Sequence, residues 1–200
     1  MIAAGIALLA LLAGLGWMLF DHRSGESPTA VQEKERVAGG IEMSPLPDLA
    51  GETLQVGCRQ GECAWLRVVR VETAAATPRG ELRRLVGRGG TSRYDDEPPE
   101  AYDPSVAVSW ETRDESSFAF CSAEGPAYAF ADEGDGLILH YLDLFDLGGY
   151  QLASARMYMR LCHDSAFDSE NPQALRALGY RPGTRSEQVE NAAAEDLTRF

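Results

Sequence analysis

Residues 2–20 read IAAGIALLALLAGLGWMLF, nineteen positions without a charge. As a helix rising about 1.5 Å per residue they span about 29 Å, the thickness of a bilayer's hydrocarbon core. No positive segment precedes the run, and Trp17, Met18, Leu19 and Phe20 stand where signal cleavage needs small residues. The pattern therefore predicts an uncleaved transmembrane anchor over 1–20, with Trp17 near the headgroups. Ala3, Ala7, Ala10 and Gly14 fall on one helical face, the kind of stripe that lets membrane helices approach, although in a span so rich in Ala and Gly a plain lipid-facing anchor is the simpler reading. Residues 21–40, DHRSGESPTAVQEKERVAGG, have few large apolar side chains and predict a flexible tether. Residues 41–56 are transitional, with Pro45 and Pro47 favouring extended backbone.

Beyond the tether, short runs of apolar, β-branched and aromatic residues recur between Gly, Pro and Asp clusters, which is the signature of strands. The runs are 64–72, 81–86, 105–111, 116–121, 127–130, 137–142 and 154–162. In 137–142 both alternating sets are apolar or aromatic apart from His140, which predicts a strand buried on both faces. The segment TRDE at 112–115 is placed as a turn between two neighbouring antiparallel strands. In 154–162, Ala155, Met157, Met159 and Leu161 alternate with Arg156, Tyr158, Arg160 and Cys162, so it is read as a strand, although Ala, Met, Arg and Leu also favour helix. A late helix is expected at 172–178, with Asn171 as cap, Pro172 in the first turn and Gly179 as the left-handed stop. Residues 181–200 are read as a polar C-terminal tail with a weak helix from Glu187. The fold class expected over 41–180 is mainly β, a small antiparallel sandwich or barrel with one late helix, behind an N-terminal transmembrane helix.

Composition narrows the partners. The chain is 44% apolar, enough for a core, and carries 18 Lys plus Arg against 31 Asp plus Glu, a net charge of −13. Phosphate backbones need a basic surface, so no nucleic acid is expected as partner. The charge is unevenly spread. Residues 59–93 hold eight arginines against three glutamates, a balance of +5, whereas 94–146 hold fourteen acids against Arg113 alone, a balance of −13. Either the two stretches compensate each other within the fold or the domain is bipolar and steers a charged partner.

Cys58, Cys63, Cys121 and Cys162 form an even set, which in an exported domain predicts two disulfides. The pairing expected is Cys58 with Cys63, around a tight turn, and Cys121 with Cys162. In the chain-entropy model the short loop contributes roughly 2 kcal/mol and the long one roughly 4. A zinc site on these cysteines, or with His163 in place of one, is the weaker alternative. Structural zinc draws ligands from close pairs about two to four residues apart, and only Cys58 with Cys63 approximates that. No cofactor and no metal is expected, and no CxxC, CxxCH, GxSxG, HExxH or P-loop pattern occurs.

Candidate chemistry is sparse. His140 and His163 are weak catalytic candidates, with Asp143, Asp146, Asp164 or Ser154 as partners that must converge on them. His163 is flanked by Cys162 and Asp164, but neighbours on a strand point to opposite faces, which argues against a Cys/His pair. Residues 131–136, ADEGDG, resemble half of a calcium loop but run on into an apolar strand, so a solvated hairpin turn is the simpler reading. The most distinctive loop is YDDEPPEAYDP at 94–104, where Tyr94, Asp95, Asp96, Glu97, Tyr102 and Asp103 form the expected binding surface for a basic protein partner. Prolines stiffen it and lower the entropy lost on docking.

Function follows as an expectation: a single-pass, membrane-tethered envelope protein with a binding domain. The alternatives are a hydrolase-type enzyme using a histidine and carboxylates, and an accessory or assembly subunit of a membrane complex. Arg23, Lys34 and Arg36 after the span argue for a cytoplasmic domain, whereas the four cysteines argue for a periplasmic or extracellular one, and the exported reading is adopted. The layout resembles that of many bacterial envelope proteins with an N-terminal anchor, and of small exported inhibitors of basic enzymes, without an inhibitor motif that matches residue by residue.

Overall fold

The computed structural model describes residues 37–38, 41–132 and 136–199. The expected span at 2–20, nearly all of the tether, and Glu133 and Asp135 lie outside the described residues. Among the described residues no helix is long and apolar enough to cross a membrane.

A two-stranded ribbon pairs β1 (Val37–Ala38) with β2 (Ile41–Glu42). The main sheet follows: β3 (Thr53–Arg59), β4 (Glu62–Thr77), β5 (Gly80–Arg93), β6 (Ser109–Trp110), β7 (Glu115–Cys121), β8 (Ala127–Ala131), β9 (Leu137–Tyr141) and β10 (Glu187–Ala192). Its order is β10-β9-β8-β7-β5-β4-β3, with β6 also on β5, and every pairing is antiparallel. The sheet curls into a half-barrel. Register shifts between Val68 and Arg70 and between Thr73 and Ala75 interrupt the β4–β5 ladder, and such bulges bend and twist the strands that carry them. One helix, α1 (Leu152–His163), packs on this sheet after a 3-10 turn at Gly149–Gln151, and a short α2 (Pro172–Ala177) comes late in the chain.

The fold is thus mainly β, and both of its sheet faces carry core. Ala119 and Cys121 of β7 and Tyr128 of β8 join the cluster under α1 with Val68, Leu85 and Tyr158. Their neighbours Phe120, Ala127 and Ala129 point the other way, into a smaller cluster with Leu139, Tyr141, Ala192 and Leu197. That alternation is the period of two that strands impose.

Four expectations need correction. Residues 152–163 are helical, not a strand. Helical spacing puts Arg156 and Arg160 on one strip at i and i+4, with Arg156 exposed, and turns Tyr158 and Cys162 inward; the strand reading set all four on one face. Only Ser109–Trp110 of 105–111 is strand. The TRDE segment does not reverse the chain: β6 and β7 lie along the same edge of β5, Glu111 N–H still donates to Gly89 O at 2.9 Å, and the residues after it loop outward. The expected helix from Glu187 is β10, because Val189 and Gln188 pair with Leu139 and His140 at the sheet's open edge. Sheet pairing overrides weak helical propensity there.

Two local expectations hold. Asn171 Oδ1 accepts from Ala174 N–H at 3.1 Å, Pro172 opens α2, and Gly179 takes a left-handed φ of 102°. Between β3 and β4 the turn residues Gln60 and Gly61 both have positive φ, 53° and 81°, the geometry a two-residue hairpin favours. Cys58 and Cys63 face each other across that hairpin and are disulfide-bonded, and Cys121 is bonded to Cys162.

Candidate functional site

A cleft lies between the sheet and the first two turns of α1. Tyr150, Ala153, Ser154 and Met157, spaced i, i+3, i+4 and i+7, line it from the helix side, and Val56, Trp65, Leu85, Ser117 and Phe130 are among the sheet residues below. Small residues line it from both sides, Ala153 and Ser154 on the helix and Gly89 and Ser117 on the sheet, and leave the space between unfilled. The inner compartment is predominantly apolar and holds about 220 Å³. An outer compartment of about 640 Å³ adjoins it, since Val56, Tyr150 and Ala153 line both. Its rim is formed by Arg59, Gln60 and Glu62 of the disulfide-closed hairpin and by Gly149, Leu152 and Arg156 at the start of the helix. Tyr150, 57% exposed, stands between the two.

Polar groups in the inner compartment are few. Ser117 Oγ is buried beside the Tyr128 phenol without closing a hydrogen bond of normal length. Burial pushes the Tyr128 hydroxyl up to about 12, with Ser117 pulling slightly the other way, so the phenol stays protonated at neutral pH. His140, under the same helix, bonds at both ring nitrogens: Nδ1 lies 2.8 Å from Ser154 Oγ and Nε2 lies 3.0 Å from Gln188 Oε1. With the Gln188 carbonyl accepting, Nε2 carries the proton and Nδ1 accepts from the Ser154 hydroxyl. Burial lowers the His140 pKa below its ordinary value, against a smaller opposing effect of Gln188, so the ring is neutral at pH 7. Phe130 and Tyr150 meet its ring edge-on at 5.5 and 5.3 Å.

Of the expected catalytic partners Ser154 reaches His140 and the carboxylates do not. Among the described residues no carboxylate bonds to His140: Asp143 instead accepts from Phe145 N–H at 3.0 Å and Gly183 N–H at 2.7 Å, tying two loops together. His163 Nε2 meets Tyr180 Oη at 2.6 Å, and Tyr180 meets Tyr158 Oη at 2.8 Å. Its neighbours are committed elsewhere, Cys162 in a disulfide and Asp164 in an ion pair with Arg160. In the helix Cys162 and His163 are not on opposite strand faces, and it is the disulfide that withholds Cys162 from His163.

The acidic loop is anchored rather than free-standing. Tyr94 N–H donates to Gly61 O at 3.0 Å, and Gln55 Nε2 donates to Pro99 O at 2.5 Å. Tyr102 is half-buried between Trp65 and Trp110, with ring centroids 5.7 and 6.4 Å away, and the Arg67 guanidinium stacks on Trp110 at 4.2 Å. Asp95, Asp96 and Glu97 are exposed. Asp103 accepts from both the hydroxyl and the backbone N–H of Ser105, which holds its carboxyl below the usual range. The oppositely charged stretches touch through Arg79 with Glu124 and Arg88 with Asp114. In the ADEGDG turn, Asp132 N–H donates to Gly136 O at 3.1 Å, closing a hairpin.

Tyr150, Arg59 and Arg156 were not singled out by the sequence reading. The helical i, i+3, i+4, i+7 set from Tyr150 to Met157 is the signal that would have found the face, once 152–163 is taken as helix. No family model, no curated protein and no solved structure matches this chain.

Proposed function

We propose that the chain is a membrane-tethered binding protein of the cell envelope, whose β domain holds a small molecule in the cleft beneath α1. The observation that carries this reading is the cleft itself: apolar walls, a few convergent hydroxyls and a wider polar mouth are the usual makeup of a small-molecule site. An apolar cavity of about 150 Å³ is enough to take up benzene in another small protein, so 220 Å³ admits a ring or a short alkyl chain. Two disulfides support an oxidising compartment and hence an exported domain. Alkylation at the moment of lysis tests that side of the proposal: no free thiols is the expected count, and four would put the domain in the cytoplasm.

Binding is tested by thermal unfolding of the full chain in lipid nanodiscs with indole as probe. A ligand at about 100 times its Kd stabilises by about 2.7 kcal/mol. Indole is expected to raise Tm in the wild type and not in Ala153→Trp, where the new ring fills the inner compartment. An equal response in both proteins would remove the cleft from the account.

One geometric observation favours a second reading. The 2.8 Å contact from Ser154 Oγ to His140 Nδ1 is the first link of a serine nucleophile and its base. A fluorophosphonate that labels Ser154 in the wild type and not in His140→Gln would establish an enzyme. The exposed acids of the 94–104 loop remain the surface offered to a basic protein partner, with Tyr102 acting as an internal anchor.

A further inference from the structure

The two compartments differ in chemistry, and their order along the cleft constrains what fits. We infer that the ligand is a small amphiphile with an anionic, carboxylate-like head, its head at Arg59 and Arg156 and its short apolar tail passing Tyr150 into the inner compartment. This deepens the binding reading above and rests on it. Arg59 comes from the end of β3 and Arg156 from the second turn of α1, yet both line the outer compartment. Among the described residues Arg70, Arg79, Arg83, Arg84, Arg88, Arg160, Arg185 and Arg199 form ion pairs, whereas Arg59 and Arg156 form none and are the two arginines that line the outer compartment. Glu62 shares the rim, which leaves a balance of one positive charge at the mouth. Guanidinium forks match a carboxylate in two parallel hydrogen bonds, a geometry that a neutral or cationic head cannot use.

The hairpin that carries Arg59 is rigid for a reason of its own. Its two-residue turn and the Cys58–Cys63 bridge fix where the guanidinium's stem leaves the backbone, so less freedom is lost when a head group binds. Inside, the one charged lining residue is Glu115, an acid that would repel a carboxylate, and Ser117 Oγ and the Ser154–His140 pair are too few to satisfy an anionic group there. The carboxylate end therefore stays at the mouth.

The test uses the full chain in native membranes and two photoreactive probes, a ten-carbon diazirine carboxylic acid and the matching alcohol. The acid is expected to label peptides covering 149–157 and 115–131, with labelling at least tenfold lower in Arg59→Gln/Arg156→Gln, whereas labelling by the alcohol is unchanged. Both arginines are exposed, and far-ultraviolet circular dichroism with a thiol count confirms that the variant is folded and oxidised. If acid labelling of those peptides survives the double substitution, the anionic head is overturned while the cleft stands. If neither probe labels them, or Ala153→Trp leaves labelling unchanged, the binding reading fails first and takes this inference with it.

Discussion

At its C-terminal end α1 is bonded covalently to the sheet, and at its N-terminal end it bridges a cavity over the same sheet. Cys162 is bonded to Cys121, His163, Tyr180 and Tyr158 form a buried chain of hydroxyl and imidazole contacts, and Ser44 Oγ donates to His163 O at 2.8 Å. Beneath that end Arg83 and Glu81 make an ion pair at 2.9 Å, their side chains only 3% and 6% exposed. Arg83 also donates to Leu161 O at 2.6 Å and Ser44 O at 2.7 Å. The other end has Ala153, Ser154 and an exposed Tyr150 over the cavity, and polar bonds hold it: buried Gln151 donates to Tyr141 O at 2.8 Å and accepts from Gly148 N–H at 3.0 Å, and Ser154 Oγ lies 2.8 Å from His140 Nδ1. The covalent bond and the buried ion pair at one end let the other tolerate a cavity, and cavities lower stability by withholding contacts from their walls. The separation of the two tasks along one helix is what the comparison teaches.

Substitutions should expose that asymmetry. Arg83→Ala leaves Glu81 with Thr73 Oγ1 as a partner and frees two carbonyls, and removing one partner of a buried pair costs about 3–5 kcal/mol; a urea titration of the full chain should show a loss within that range. Replacing Cys121 and Cys162 together by Ala opens a loop with a sequence separation of 41. The chain-entropy model then gives a loss of about 4 kcal/mol, read in the same titration. Loss under 1 kcal/mol in either protein would mean that the C-terminal half is not the anchor.

At the cavity end the effects are smaller. His140 is held below its ordinary pKa by burial, so the unfolded chain binds a proton more readily than the folded one. Its contribution is complete above about pH 6.5, the unfolded value, and is lost as pH falls through the lower folded value. The drop in Tm between pH 7 and pH 5 should therefore be smaller in His140→Gln than in the wild type. Ser117→Ala, on the cavity wall, removes a hydroxyl that closes no normal hydrogen bond and should move stability by no more than about 0.5 kcal/mol.

The same division governs what could be read from the chain. Features decided by neighbours in sequence were legible: the hairpin closed by Cys58 and Cys63, the Asn171 cap with Pro172 and Gly179, and strands such as 116–121 and 137–142. The Cys121–Cys162 pairing was legible by elimination once the short bridge was assumed. Helix α1 was not, because Arg156 and Arg160 fit both a period of two and a spacing of four, and only the packing of Tyr158 and Cys162 onto β7 decides between them. The cleft is further from the sequence still. It needs Ala153 and Ser154 set against Ser117 and Gly89, residues whose meeting depends on strand order and on where α1 crosses the sheet. His140 and Ser154 were named as possible partners and do meet, but Gln188, the third member, sits on a strand that the sequence presented as helix.

Hydrogen exchange on the full chain, with and without decanoic acid, tests the central claim most directly. Peptides over 149–157 are expected to exchange readily in the free protein and to gain protection with the acid, while 158–163 exchange only through global unfolding in both states. Equal protection along the whole helix in the free protein, with no change on adding the acid, would contradict it.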